Sequence, residues 1–172
     1  MPPPTKWVIA PPRKALVVGV ADMVASNDPS AELVTYSLGS CLGISVYDPV
    51  TRIGGLLHIM LPDSTIDPVK AASAPLMFVD TGVPRLFQAV ASLGAEKRRL
   101  NIRVAGGAQF LDPGGVFNIG QRNQVALARL LAHNGYSIHA QDVGGISSRT
   151  VRLDLTTGKI TIRCPGIEPY FL

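Results

Sequence analysis

The stretch "LGISVYDPVTRIGGLLHIML", residues 42–61, reads as two apolar strands around a turn. Asp48-Pro49 opens the turn, because an Asp-Pro pair favours turn initiation. "IGGLLHIML" (53–61) is a near-continuous apolar run, as expected for a strand covered on both faces. The connection is short, so the two strands are expected to pair as antiparallel neighbours. Pairing about a centre near residue 50 sets residue 42 opposite about residue 58.

Working outward, "ELVTYSL" (32–38) reads as a strand and "ALVVGV" (15–20) as a buried one. "PDSTIDPVKAASAP" (62–75) reads as a long polar loop, of a length that is often functional. A helix is expected over 75–95, with Pro84 kinking or splitting it. "LNIRVAGGA" (100–108) reads as a strand, "FLDPGGVFN" (110–118) as a glycine-rich loop, and 119–135 as a helix with Asn118 at its N-cap. "TVRLDLTTGKITIR" (150–163) alternates apolar and polar residues around a turn, the pattern of a hairpin with one wet face. Strands outnumber helices and alternate with them too sparsely for a doubly wound fold. The expected class is α+β: a single-domain layered sandwich of mixed β-sheet with flanking helices. Residues 1–14 read as an irregular proline-rich arm and 15–172 as the one domain.

With 172 residues, 47% of them hydrophobic and 16% charged, the chain is long and apolar enough for a buried core. The net charge of +4 is diffuse except at "EKRRLNIR" (96–103). No aromatic residue interleaves that run, so stacking on bases has no support and no nucleic acid is expected as partner. The run reads as a solvated helix end. No apolar stretch approaches the roughly 20 residues needed to cross a membrane. The N-terminal "ALVVGVA" imitates a signal segment but ends at Asp22. No membrane insertion and a cytoplasmic location are the expectations.

Two cysteines are too few for a disulfide scaffold, although a Cys41–Cys164 bridge stays open. Neither sits in a C-x-x-C pair, so no metal is expected. Glycine pairs at 54–55, 106–107, 114–115 and 144–145 form no phosphate-binding motif, so no cofactor is expected. They read as positions of close strand packing.

Of three histidines, His133 falls in a helix end and His139 on a sheet face. His58 stands between Leu57 and Ile59 in the most apolar strand. Alone it would be a satisfied core residue. The hairpin register changes that reading, because it brings Cys41 beside His58. A cysteine needs an adjacent base or positive field to react as thiolate near neutral pH, and an imidazole supplies one. Thr35 shares parity with Cys41, but six strand residues span about 20 Å. The chain must bend at Leu38-Gly39-Ser40 for Thr35 to help, and Gly39 permits it. Such a bend would aim backbone N–H groups at an oxyanion. The bland alternative for Thr35 is a strand residue that packs.

The segments "ADMVAS" (21–26), "LVTYSLGSCLGISVYDP" (33–49), "GGLLHIMLPDS" (54–64), "VDTGVPRL" (79–86), "GGAQF" (106–110), "IGQRN" (119–123), "DVGG" (142–145) and "TGKITIR" (157–163) together resemble the CheD family of bacterial chemotaxis proteins, from about Ala15 to Arg163. The resemblance implies a receptor glutamine deamidase whose fold is similar to that of deamidating cysteine-hydrolase toxins. It implies Cys41 as nucleophile, His58 as base and Thr35 as the group that fixes the imidazole tautomer. It implies chemoreceptor cytoplasmic helices as substrate and a CheC-type phosphatase as a possible partner. A mainly regulatory binding module that pairs with that phosphatase or the receptor is the rival reading. A cysteine protease or transglutaminase-like activity would share the chemistry. The chain departs from the family pattern at Leu56-Leu57 and Ser148-Arg149, positions expected to touch substrate or partner.

Overall fold

The structure is a computed structural model that describes residues 13–109 and 117–172. Along the chain run β1 (Lys14–Val18), β2 (Asp22–Ser26), β3 (Ala31–Leu38), β4 (Leu42–Asp48), β5 (Ile53–Ile59), α1 (Pro68–Ser73), α2 (Val79–Ser92), β6 (Asn101–Gly106), α3 (Ile119–His133), β7 (Ala140–Val143), β8 (Arg149–Asp154), β9 (Ile160–Arg163) and β10 (Tyr170–Phe171). Residues 110–116 of the expected loop and residues 1–12 of the N-terminal arm lie outside the described residues.

The strands form two sheets, β1-β3-β8-β9-β10 and β2-β5-β4-β6-β7. Each is mixed, with one parallel pair, β1 with β3 and β6 with β7. This is the expected α+β layering, and the side-chain parity of the central hairpin explains it. Leu42, Ile44, Val46, Leu57 and Ile59 share a core with Val79, Val83, Leu86 and Val90 of α2 and Leu127 and Leu131 of α3. The alternate residues Tyr47 and Leu56 join Leu33, Leu38, Val151, Leu153 and Ile162 in a second core between the sheets. The second sheet is thus covered on both faces, and every residue of β4 and β5 is buried. Glycines make this possible. A Cβ on Gly54 would come within 2.4 Å of Leu155, and one on Gly55 within 2.7 Å of Leu86.

The hairpin pairs one residue off the expected register: Leu42 faces Ile59 and Gly43 faces His58. The turn is pinned by Asp48, which is fully buried at the end of β4. Its carboxylate accepts from the Val50 and Glu96 N–H groups at 3.0 Å each and from Arg99, Nη2 donating at 2.8 Å. In "EKRR" Glu96, Lys97 and Arg98 are exposed, as a solvated segment would be, but Arg99 is turned inward. Lys97–Arg99 form a 3-10 turn after α2, and Arg99 locks that turn to the hairpin.

Other elements differ from expectation for local reasons. The "loop" 62–75 carries α1, where Pro68 occupies the first turn and the Asp67 side chain accepts from the Lys70 N–H. Ser64 ties the segment to α2 through Asp80, its N–H donating at 2.9 Å. α2 begins at Val79 and runs through Pro84 without splitting. Pro84 is exposed and near the helix start, so it removes one backbone bond without dividing two long halves. β1 is mostly exposed rather than buried, because it is an edge strand of its sheet. The short edge strands β2 and β10 do not show in the sequence pattern. The C-terminal hairpin is as read, with Val151 opposite Ile162 and Leu153 opposite Ile160. Both cysteines are free thiols, so the Cys41–Cys164 bridge is not made.

Candidate active site

β3 and β4 lie in different sheets, so the chain must cross between them over three residues, Gly39, Ser40 and Cys41. Ser37 takes the left-handed conformation, φ 55°, and the β3–β8 register shifts between Thr35 and Leu38. The bend expected at Leu38-Gly39-Ser40 is present. It places Cys41 at the entrance of the second sheet while Thr35 stays behind in the first.

His58 alternates with Leu57 and Ile59, so it points away from the helices and toward the first sheet. There it meets Thr35. The Thr35 Oγ1 and His58 Nδ1 are 2.8 Å apart, and both residues are buried. The same hydroxyl donates to the Val18 carbonyl at 2.9 Å. A hydroxyl has one proton, and a carbonyl only accepts. With that proton on Val18, Oγ1 must accept from Nδ1–H. The imidazole therefore carries its proton on Nδ1 and leaves the Nε2 lone pair free. Nε2 is buried and has no hydrogen-bond partner among the described residues.

Burial pushes the His58 pKa down to about 4. Thr35 is neutral and offers an imidazolium no counter-charge. At neutral pH the ring is an uncharged base. Burial likewise raises the Cys41 thiol above its ordinary value. In the resting state Cys41 is a thiol and His58 a neutral imidazole, with no ion pair between them.

Cys41 is half-buried and two residues before Gly43, the direct partner of His58. Diagonal neighbours of this kind lie about 7–8 Å apart at Cα, within reach of a cysteine and an imidazole. The thiol does not bond Nε2 in this state. Catalytic hydrogen bonds often tighten only when substrate is bound. Gly43 lets Leu38 and Thr35 pack against the strand beside His58, since a Cβ there would come within 2.8 Å of Leu38 and 3.5 Å of the Thr35 methyl.

The nucleophile's loop is held from one side. The carbonyls of Gly39 and Cys41 accept from the Ala108 and Gly107 N–H groups at 2.8 Å each. The Ser40 carbonyl accepts from Asn123 Nδ2 at 3.0 Å. Gly106 is obligatory here: its φ is 111°, and a Cβ would lie 2.3 Å from the Cys41 carbonyl oxygen. A cleft of about 200 Å³ lined by Ser40, Ala108, Gln109, Phe117, Ile119 and Gly120 opens beside this loop.

Asn123, part of "IGQRN", is a residue of the site that the sequence reading misses. The signal was available: Gly120, Asn123, Leu127 and Leu131 form the buried stripe of α3, and one of the four is polar. His133 is exposed, and His139 accepts from the Ile102 N–H at 3.1 Å, so neither enters the site. Cys164 lies near the Tyr170 hydroxyl, 3.7 Å away, in the other sheet. No metal-ligand cluster occurs among the described residues. Leu56 and Leu57 are fully buried in the two cores, and Arg149 is buried against Asp142. Leu56, Leu57 and Arg149 are therefore core and framework positions, whereas Ser148 is half-buried and lines a surface cleft with Thr150 and Cys164.

Thr35 has a direct test. Thr35→Val keeps the shape but strands the Nδ1–H and the Val18 carbonyl, which costs about 1–3 kcal/mol of stability. It also frees the imidazole to change tautomer. Turnover is expected to fall roughly 10- to 1,000-fold in Thr35→Val, with much of it kept in Thr35→Ser. Equal turnover in Thr35→Val and wild type would reduce the arrangement to Cys41 and His58.

The chain is similar to known proteins over most of its length. Residues 60–164 match the CheD family, described as chemotactic sensory transduction. The chain is 49% identical over 151 residues to a probable chemoreceptor glutamine deamidase CheD of Solibacter usitatus, covering 88% of this chain and 89% of that one. It is 45% identical to a probable chemoreceptor glutamine deamidase CheD 1 of Syntrophus aciditrophicus, covering 88% and 94%. A third relative, from Anaeromyxobacter dehalogenans, is 45% identical over 86% of this chain and 93% of its own. With identity at this level along almost the whole of each relative, the chain belongs to the CheD family.

Proposed function

We propose that the protein is a protein-glutamine deamidase that converts glutamine side chains of chemoreceptors to glutamate. The observation that supports this reading is the unpartnered, buried Nε2 of His58, with its tautomer set by Thr35, two residues in register from the free, half-buried thiol of Cys41. Binding alone needs no such base.

The glutamine amide carbonyl approaches the sulfur. His58 Nε2 takes the thiol proton as the S–C bond forms and the carbonyl π pair moves to oxygen. The tetrahedral adduct collapses, the C–N bond breaks, and the proton on Nε2 leaves with ammonia. Water then enters, gives a proton to Nε2 and attacks the thioester. The S–C bond breaks, the thiol regains its proton, and glutamate is left. His58 is suited to both directions because it is neutral before each attack. The imidazolium exists only within each half-reaction, and Thr35 holds the ring in place without trapping that charge.

Receptor helices on the cytoplasmic side are the substrate in this reading, and the protein works in the cytoplasm. No helix among the described residues is long and apolar enough to cross a membrane. A CheC-type phosphatase is a further partner in the same reading. The test is mass spectrometry of a chemoreceptor cytoplasmic fragment after incubation with the protein. Each converted site gains about one dalton, with ammonia released in equal amount, as replacement of a side-chain amide by a carboxyl requires. Unchanged receptor masses with an intact, folded enzyme would reject the reading.

A further inference from the structure

Asn123 is fully buried on α3, yet it touches neither His58 nor Thr35 in any hydrogen bond. Its Nδ2 donates to two carbonyls, Ser40 at 3.0 Å and Met60 at 2.9 Å. Both acceptors are carbonyls, so the amide nitrogen must face them, and the orientation of the side chain is fixed by chemistry. Its Oδ1 is buried with no partner among the described residues. The residue is thus used for its donors alone, at the cost of an unsatisfied acceptor.

The two carbonyls are telling. Ser40 precedes the nucleophile, and Met60 follows the base strand two residues after His58. Asn123 clamps the two strand ends that carry Cys41 and His58. The Ser40 carbonyl also shares its peptide unit with the Cys41 N–H. That unit is planar and trans, so the two groups point in opposite directions. With the carbonyl held against α3, the Cys41 N–H is turned away from the helix layer. The flanking carbonyls of Gly39 and Cys41 are held by Ala108 and Gly107, so the whole loop presents its acceptors to one side. The Cys41 N–H makes no hydrogen bond to another backbone carbonyl among the described residues.

We infer that Asn123 is a positioning residue for acyl transfer, which holds the Ser40–Cys41 peptide so that the Cys41 N–H serves as an oxyanion donor. When the sulfur adds to a carbonyl, the π pair moves onto oxygen, and that oxygen lies over the Cys41 N–H. Collapse returns the pair and expels the leaving group. A donor fixed before reaction stabilises the developing charge without reorganising. Substitution of Asn123 leaves the peptide free to rotate. The thiol remains, but the charge that forms beside it loses its fixed partner.

The inference rests on Cys41 acting as a nucleophile, but its test does not need the receptor. Two probes act on the same sulfur of the full-length protein. p-Nitrophenyl acetate acylates it through a tetrahedral oxyanion, followed by nitrophenolate absorbance. Iodoacetamide alkylates it by direct displacement, with no oxyanion, followed by mass. In Asn123→Ala the acylation rate is expected to fall about 10- to 100-fold, toward the loss seen when an oxyanion donor is removed. The alkylation rate should change less than about threefold, because it reports the thiol alone. Cys164 serves as the fold control: it is 6% exposed and takes label only if the chain opens. If Asn123→Ala labels Cys164, the same ratio is read on Asn123→Ser. Equal falls in acylation and alkylation, or no fall in acylation, would overturn the inference and leave Asn123 a framework residue. Failure of wild type to convert the receptor while the two rates still separate would instead reject the deamidase reading.

Discussion

Cys41→Ala is expected to stop conversion of receptor glutamine, with the rate falling roughly 10⁴- to 10⁶-fold, as when a nucleophile that acts as a unit with its base is removed. The sulfur has no substitute in the site. His58 Nε2 is buried and uncharged, and Thr35 has its hydroxyl committed to Val18 and Nδ1. The change should leave the fold in place, because Cys41 is half-buried in a bend and one atom is lost. A stability change of about 1 kcal/mol is expected, the usual scale for a point substitution. Cys164→Ala should keep activity. That thiol lies beyond the end of β9, near Tyr170. Ammonia release and thermal unfolding on the two variants decide the matter. An active Cys41→Ala or a dead but folded Cys164→Ala would reverse the assignment.

Asp48→Ala is expected to cause the largest loss of stability, about 3–5 kcal/mol, because it leaves a positively charged partner and several donors without their acceptor. For a chain of this length that corresponds to a fall in Tm of roughly 6–20 °C. The carboxylate is fully buried and takes hydrogen bonds from Arg99 and from the backbone of Val50 and Glu96. These bonds outweigh burial and hold its pKa well below the ordinary 3.8. A depressed folded value stabilises the native state above 3.8, and that contribution is lost as pH falls below it. The acid-induced drop below about pH 4 should therefore be shallower in Asp48→Ala than in wild type. His58 acts in a higher window. Its folded value of about 4 lies below 6.5, so the unfolded chain holds more protons between them and stability falls as pH drops through that range. Thermal unfolding at pH 7, 5 and 3 separates the two groups. Equal stability of Asp48→Ala and wild type at pH 7 would show that the hairpin turn does not depend on this carboxylate.

The parts of the fold legible in the sequence are those where burial imposes a period. β4, β5 and the β8–β9 hairpin announce themselves by apolar runs or alternation, because one or both faces are covered. α1 and β2 did not. The residues of α1 are all unburied, so "PVKAAS" carries no apolar stripe, and only its Asp-Pro start marks it. β2 is a five-residue edge strand without a buried residue. The register differs by one because the turn holds four residues, 49–52, and so centres between Val50 and Thr51 rather than on Val50. It mattered little, since Gly43 and Leu42 are adjacent and Cys41 stays within diagonal reach of His58. The meeting of Thr35 with His58 could be argued only through a bend, because the two belong to different sheets. Asn123 is half legible: its place in the apolar stripe of α3 marks it as buried, but its two carbonyl partners, 83 and 63 residues away in the chain, leave no local pattern.

The hydrogen bond from His58 to Thr35 is also a bond between the two sheets. Neither sheet alone determines which ring nitrogen keeps the proton. If the layers slide apart by even a fraction of a side chain, Nδ1–H loses its acceptor, and the ring is free to move its proton to Nε2. The same residues then remain in the same order, and the lone pair that would receive the thiol proton is gone. The stacking of the layers is a mechanical coordinate with a chemical output: it sets the address of a single proton. A loosened molecule would fall silent before it unfolds, with no atom altered.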